Sequence, residues 1–485
     1  MIPSSHLSKL YQGQKLSLLT DLYQLTMAQG YWKNGMADRE AVFHLYFRKA
    51  PFGGHYALAC GLALAADFLQ QFHFGVNEIQ YLGTLRGSDG KALFSESFLN
   101  FLQRMEFTCD IDAIPEGTVV FPNTPLIRVR GPLVQAQLIE TALLTLVNFS
   151  TLIATKASRV VRAAQGDAVL EFGLRRAQGA DGGVSASRAA YIGGCTGTSN
   201  VLAGLLFRIP VKGTHAHSWV MCYDSELESF EAYANAMPNN CIFLVDTYDT
   251  EQGVRHAIKV SRQLLEKGYQ PLGIRLDSGD LTALSKLARE LLDEAGLADL
   301  AIVASNDLNE HRIAALKESG AEISVWGVGT QLATAYDQAA LGGVYKLAAL
   351  KDRDGQWQDK VKLSEDAIKT SIPGLQQVQR YFHESGQPLG DQIIDEKITN
   401  TPHQIIPTLT DQRQHINGGQ AENLLQAIFR SGKLVYNFPS IYDIRAFSIR
   451  QQALFQQIEL ANYPVGLSPE LDQRRKMLIK QHAHA

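Results

Sequence analysis

The sequence predicts an α/β protein built on a parallel sheet, open or closed into a barrel, with antiparallel and helical pieces on either side. Three observations carry this. Between residues 132 and 350, short apolar runs recur: AVLEF, IFLVDTYD, PLGIRLDSGD, AIVASND and ISVWGVGT. Their polar ends at Asp246, Asp277, Asn306 and Thr330 stand 31, 29 and 24 residues apart, the length of a βα unit. The intervals hold helix-period segments. In LTALSKLARELLDEAG the apolar face is Leu281, Leu284, Leu287, Leu291 and Leu292, and Asp280 is the candidate N-cap.

Residues 1–131 carry strand signals with hairpin-like turns. AVFHLYF (Ala41–Phe47) alternates apolar and polar residues, and GTVVF and PLIRVRG flank the turn-forming Pro122-Asn123-Thr124-Pro125. An α+β antiparallel flank follows from these. The stretch Leu138–Ala157 is apolar but interrupted by Glu140, Asn148 and Lys156, a buried helix rather than a membrane span. From 351 to 485 the turn at Asp352-Arg353-Asp354-Gly355 restores the antiparallel texture, and helical patterns are expected from Ala421 onward. This C-terminal region is expected to pack beside the first flank.

Composition narrows the function. The 485 residues are 45% hydrophobic and 19% charged, with a formal charge of only −4, so a dedicated nucleic-acid binder is excluded. Five cysteines, an odd number with no CxxC pair, argue against a disulfide framework or a zinc ribbon and for a reducing compartment. The opening MIPSSHLSKLYQG has no apolar core of a secretory signal. A soluble cytoplasmic protein is expected, with no membrane partner.

Polar and glycine residues cluster where each apolar run ends, the end that carries the site in a parallel barrel. Turning the chain alone needs such residues once; five successive strand ends point to a shared site. In GTHAHSW, His215 and His217 would face one way on an extended segment. They suit a metal pair, a single nucleophilic or acid–base histidine, or a structural imidazole. In GIRLDSGDL, Arg275 can hold a carboxylate or phosphate and Asp277 can bind ribose hydroxyls or magnesium, or the two can simply pair. WGVGTQL offers backbone N–H groups to a phosphate at Gly327, Gly329 and Thr330, whereas no GxxxxGK[ST] P-loop exists. EFGLRRAQG offers Arg175 and Arg176 to an anion and Phe172 as an aromatic face. Together these suit a phosphorylated sugar and a small anionic partner.

The segments TDLYQLTMAQGYW, EFGLRRAQGADGG, GTHAHSW, VDTYDT, RLDSGDL, and VWGVGT followed by LGGVYKL resemble the signature segments of the nicotinate phosphoribosyltransferase family, in the family's order. The resemblance runs from about residue 16 to KLSED near Asp366. It implies an irregular, seven-stranded-type parallel α/β barrel of the type II phosphoribosyltransferase kind, with an α+β antiparallel flank and a helical C-terminal region. It implies condensation of nicotinate with phosphoribosyl pyrophosphate, coupled to ATP hydrolysis and assisted by Mg2+, in a homodimer whose sites are shared. His217 matches the phosphorylatable histidine, and His215 falls at a variable spot. Thr214 and Arg275 match nicotinate contacts. Tyr23 of the partner subunit would stack on the pyridine ring opposite Phe172. Arg175 would serve the base and phosphate side. Asp277 would bind the ribose hydroxyls, Asp246 would lie near the histidine or magnesium, and Gly327, Gly329 and Thr330 would cradle the 5′-phosphate. The alternatives are a nicotinamide or quinolinate phosphoribosyltransferase, a metal-dependent amidohydrolase using His215 and His217, and a non-catalytic sensor.

Overall fold

In the computed structural model, residues 16–364, 366, 369–398, 403–408, 413–416 and 419–483 are described. The N-terminal segment read above for a signal and the closing HAHA fall wholly or partly outside them. The chain divides into two compact units, one of residues 1–152 with 340–485 and one of residues 153–339.

The first unit is antiparallel. Its main sheet runs Trp357–Asp359, Gly343–Lys351, Glu40–Phe47, Ile127–Pro132, Asp110–Ala113, Gln426–Arg430, Lys433–Leu434. Segments far apart in sequence therefore share one sheet, with Phe43 opposite both Val129 and Leu347. The alternation in AVFHLYF has no solvated face. Seven of the eight residues of Glu40–Phe47 are buried, and His44 satisfies its Nε2 by accepting the Gln376 N–H. The turn at Pro122–Pro125 forms, with Asn123 left-handed at φ 65°, but its arms do not pair with one another. Val119–Val120 pairs with Ala57–Leu58, while Ile127–Pro132 joins the main sheet. The expected turn at Asp352–Gly355 links two paired strands, and the Asp352 carboxylate accepts the N–H groups of Asp354 and Gln356. Helix from Ala421 onward is not what forms: strands Gln420–Asn423 and Gln426–Arg430 come first, and helices begin at Ile441–Gln456 and Pro469–Ala483. A second sheet in this unit buries Arg380 and Asp391 as a two-pronged pair at 2.8 and 2.7 Å, with the Tyr463 hydroxyl donating to Asp391.

The second unit is the parallel one. Its strands lie in the order Gly197–Thr198, Ala168–Glu171, Val325–Val328, Ala301–Ala304, Gly273–Leu276, Ile242–Leu244, every pair parallel. Three following helices start on side-chain caps: Asp249 accepts from Gln252, Asp280 from Thr282 and Ala283, and Asn309 from Arg312. The cap anticipated at Asp280 is thus one of a set that ends three successive βα loops. Close approach explains two glycines. A Cβ at Gly253 would lie 2.1 Å from the Val245 carbonyl, and one at Gly273 would lie 2.2 Å from the Ala301 carbonyl.

The sheet's two edges are joined without a regular strand. At one edge Thr198 donates to Pro210, Lys212 donates back to Thr198, and Val211 makes a single parallel bridge. Four residues on, the chain reaches the other edge. The Thr214 hydroxyl donates to the Ile242 carbonyl, and the Leu244 N–H donates to His215 Nε2 at 3.3 Å. Residues 210–215 therefore close the parallel sheet into an irregular barrel, through main-chain bonds at one edge and side chains at the other. Among the described residues, no helix is long and apolar enough to cross a membrane; the Glu140–Ala163 helix instead buries many of its side chains, Lys156 included.

Candidate active site

The strand ends of the parallel unit gather acids, hydroxyls and one accessible imidazole. Asp246 follows the strand Ile242–Leu244 and Asp277 follows Gly273–Leu276. Asp246 Oδ2 accepts the Asp277 N–H and the Ser278 hydroxyl, both at 2.7 Å. Its Oδ1 is buried and has no protein partner. A buried carboxylate oxygen left bare is costly unless something else meets it.

Asp277 Oδ1 accepts from Arg275 Nη2 at 2.9 Å and from the Ser305 hydroxyl, while Arg275 Nε donates to Ser305 at 2.9 Å. Burial pushes the Asp277 carboxyl up, but the Ser305 hydroxyl and the Arg275 guanidinium outweigh it and hold its pKa below the ordinary value. Arg275 and Asp277 thus do pair. Nη1 of the guanidinium takes no part in these bonds.

The two histidines diverge. His217 opens the short helix His217–Met221, with its side chain 40% exposed. Its Nδ1 lies 3.1 Å from the Thr247 hydroxyl and its Nε2 lies 3.8 Å from Asp277 Oδ2. His215 points into the fold, between Phe230 and Tyr233, and burial presses its pKa down to about 4. With Nε2 spent on a backbone N–H, His215 cannot be half of a metal pair, and the extended segment assumed for that reading does not form. His256 pairs with Glu226 at 2.9 Å. Among the described residues, ligand atoms close enough for one ion occur at Glu310, His311 and Asp337. There the Lys156 ammonium already lies 2.6 Å from Glu310 and 2.7 Å from Asp337.

Phe172 and Gly327 meet directly. A Cβ at Gly327 would fall 2.7 Å from the Phe172 ring, so this glycine makes room for an aromatic face. Gly329 lies against the Phe172 backbone, and Thr330 opens the turn Thr330–Ala333. Arg175 stands exposed in the turn Leu174–Arg176. Tyr23, in the first unit, is half-exposed on the helix Leu22–Lys33, its hydroxyl 3.5 Å from Glu140. The structure thus brings Asp246, Asp277 and Arg275 into one hydrogen-bonded cluster with His217 alongside, and Phe172 against Gly327 and Gly329.

Sequence reasoning missed Glu171, Thr247, Ser278 and Ser305. Ser305 and Thr247 sit at strand ends, which was the available signal. Glu171 sits on the strand itself, and nothing in AVLEF distinguishes it from an ordinary buried acid.

Comparison with known proteins agrees over most of the chain. Residues 18–148 match the nicotinate phosphoribosyltransferase (NAPRTase) N-terminal domain, 168–384 the NAPRTase family, and 375–475 the C-terminal domain of the same enzymes. The chain belongs to the nicotinate phosphoribosyltransferase family. It is 43% identical over 474 residues to the nicotinate phosphoribosyltransferase of Bacillus subtilis (strain 168), covering 95% of this chain and 94% of that one. It is 36% identical over 490 residues to that of Homo sapiens, covering 89% and 90%. A crystal structure of human nicotinic acid phosphoribosyltransferase superposes with a TM-score of 0.82 at 32% identity, over 95% of this chain and 99% of that one. The irregular α/β barrel with antiparallel flank is therefore the family's fold.

Proposed function

We propose that this member of the family joins nicotinate to phosphoribosyl pyrophosphate, giving nicotinate mononucleotide and pyrophosphate, and couples the transfer to ATP hydrolysis through a phosphohistidine at His217. The reaction class is the family's. The observation that carries the site assignment is the Asp246–Asp277 pair, with one buried Asp246 oxygen left bare.

The carbon–oxygen bond to pyrophosphate breaks and a bond from the pyridine nitrogen to the anomeric carbon forms. Positive charge develops on the sugar, so fixed carboxylates beside it stabilise the transition state. Asp277, held ionised, offers Oδ2 to the ribose hydroxyls. Arg275 offers Nη1 to the nicotinate carboxylate, a group nicotinamide lacks. Thr214, whose hydroxyl donates to the Ile242 carbonyl at the barrel seam, would serve the same carboxylate. Phe172 presents the ring face, and Tyr23 of the partner subunit closes the other side. Arg175 serves the anionic groups, and Gly327, Gly329 and Thr330 line the 5′-phosphate position.

The donors suit Mg2+, which favours hard oxygens: Asp246 Oδ1 would hold it, with waters completing the shell. When bound, the ion neutralises the departing pyrophosphate. His217 is accessible enough to accept a phosphoryl group, and the added charge would then face Asp277 across a short gap. The five cysteines are thiols rather than disulfides, which suits a cytoplasmic setting. A homodimer is supported by the apolar side chains that Val201, Leu205 and Val211 leave exposed.

The test of the phosphohistidine is intact-protein mass spectrometry after incubation with ATP. An acid-labile phosphate should appear on the native chain and not on His217→Ala; equal labelling of both removes the role.

A further inference from the structure

Glu171 is 1% exposed, and among the described residues no lysine, arginine or histidine pairs with it. A buried carboxylate without a cation survives only when neutral donors satisfy it fully. Here they do. The Gly173 N–H donates to Oε1, and the Ser187 and Thr198 hydroxyls donate to Oε2 at 2.9 and 2.6 Å. Asn200 braces both hydroxyls, giving its Nδ2 to Ser187 at 3.1 Å and its N–H to Thr198 at 3.0 Å. Ser187, Thr198 and Asn200 are themselves only 1% exposed or less. One carboxylate therefore fastens a helix, a strand and a helix cap to the turn that follows its own strand.

That turn has no slack. A Cβ at Gly173 would lie 2.3 Å from Ala333 and 2.7 Å from the Gly329 carbonyl, and the Phe172 N–H is fixed on the Val328 carbonyl at 2.8 Å. The Phe172 backbone is held on both sides: by the ladder before it, and by the Glu171-bound Gly173 after it. The ring direction follows, lying over Gly327. We propose that Glu171 is a positioning residue for nicotinate, its buried carboxylate setting the angle of the Phe172 ring through Gly173. This rests on the reading of Phe172 as the face that receives the pyridine ring.

The test compares Glu171→Gln, Thr198→Val and Phe172→Leu in steady-state assays with each substrate varied. Thr198→Val removes one donor while leaving the carboxylate and the Gly173 N–H bond in place, so it serves if Glu171→Gln does not fold. Either variant should raise the KM for nicotinate, by about tenfold for Glu171→Gln and less for Thr198→Val, with the KM for phosphoribosyl pyrophosphate within about twofold. A scaffold role alone would move both constants together or lower only the melting temperature, and either result overturns the proposal. If Phe172→Leu raises the nicotinate KM but neither network variant does, the inference about Glu171 fails by itself. If Phe172→Leu leaves that KM unchanged, the Phe172 reading fails and the inference with it.

Discussion

The backbone N–H of Asp277 donates to Asp246 Oδ2 at 2.7 Å, so the carboxylate of one strand end anchors the main chain of the next. The same Asp246 keeps Oδ1 buried and bare, and Asp277 keeps Oδ2 within 3.8 Å of His217. Each acid thus spends one oxygen on structure and holds the other ready. For Asp246→Asn the amide oxygen can still accept the Asp277 N–H, so the fold should survive. Its kcat should fall by about 10²–10³, the scale of losing one preorganised electrostatic group. Circular dichroism with steady-state kinetics checks this; unchanged kcat in a folded variant would remove Asp246 from the site.

The partner-subunit role of Tyr23 has its own signature. Tyr23→Ala and His217→Ala should each be impaired. Equal amounts allowed to exchange subunits should recover about a quarter of native activity, because half the dimers are mixed and each of those has one intact site. No recovery from a mixture proven to contain mixed dimers would place both residues in one chain's site.

His215 should make stability depend on pH. Its imidazole has a folded pKa of about 4 against an ordinary 6.5. Between those values the unfolded chain binds the extra proton, so the contribution is intact above pH 6.5 and is lost progressively as the pH falls towards 4. It amounts to about 3 kcal/mol. Denaturant unfolding of the native chain and of His215→Gln at several pH values should show the difference changing only within that window. A difference independent of pH would mean that His215 is not held neutral by burial.

Lys156 carries a different kind of risk. Its ammonium is wholly buried between Glu310 and Asp337, and Arg159 shares Glu310 at 3.0 Å. Lys156→Met should cost about 3 kcal/mol, because Glu310 keeps only Arg159 and the buried side of the cluster loses its main cation. Adding Glu310→Gln should return part of that loss. A double variant no more stable than the single one would contradict the assignment.

Much of this was legible in the sequence because it obeys short-range rules. The βα spacing, the Asp280 cap and the polar strand ends follow from periodicity and capping chemistry, and they located Asp246 and Asp277. What escaped depends on long-range pairing. The arms around Pro122–Pro125 go to different sheets because their partners, Ala57–Leu58 and Glu40–Phe47, lie outside the local window. His215 looked like half of a pair with His217 because Gly213–Trp219 read as an extended segment; His215 instead lies in the seam, where its imidazole replaces a missing ladder bond. The strands between 420 and 430 hide in polar sequence for the same reason. Glu171 could not be singled out, since its side-chain donors, Ser187 and Thr198, lie 16 and 27 positions away.

The central claim is the chemistry at the strand ends, and product formation tests it most directly. The purified protein is given phosphoribosyl pyrophosphate and Mg2+ with either nicotinate or nicotinamide, with and without ATP, and the mononucleotide is quantified. The account predicts nicotinate mononucleotide as the main product, faster with ATP, and little turnover of the amide because Arg275 then has no carboxylate to meet. Faster use of nicotinamide, or no mononucleotide from nicotinate under any of these conditions, would contradict it.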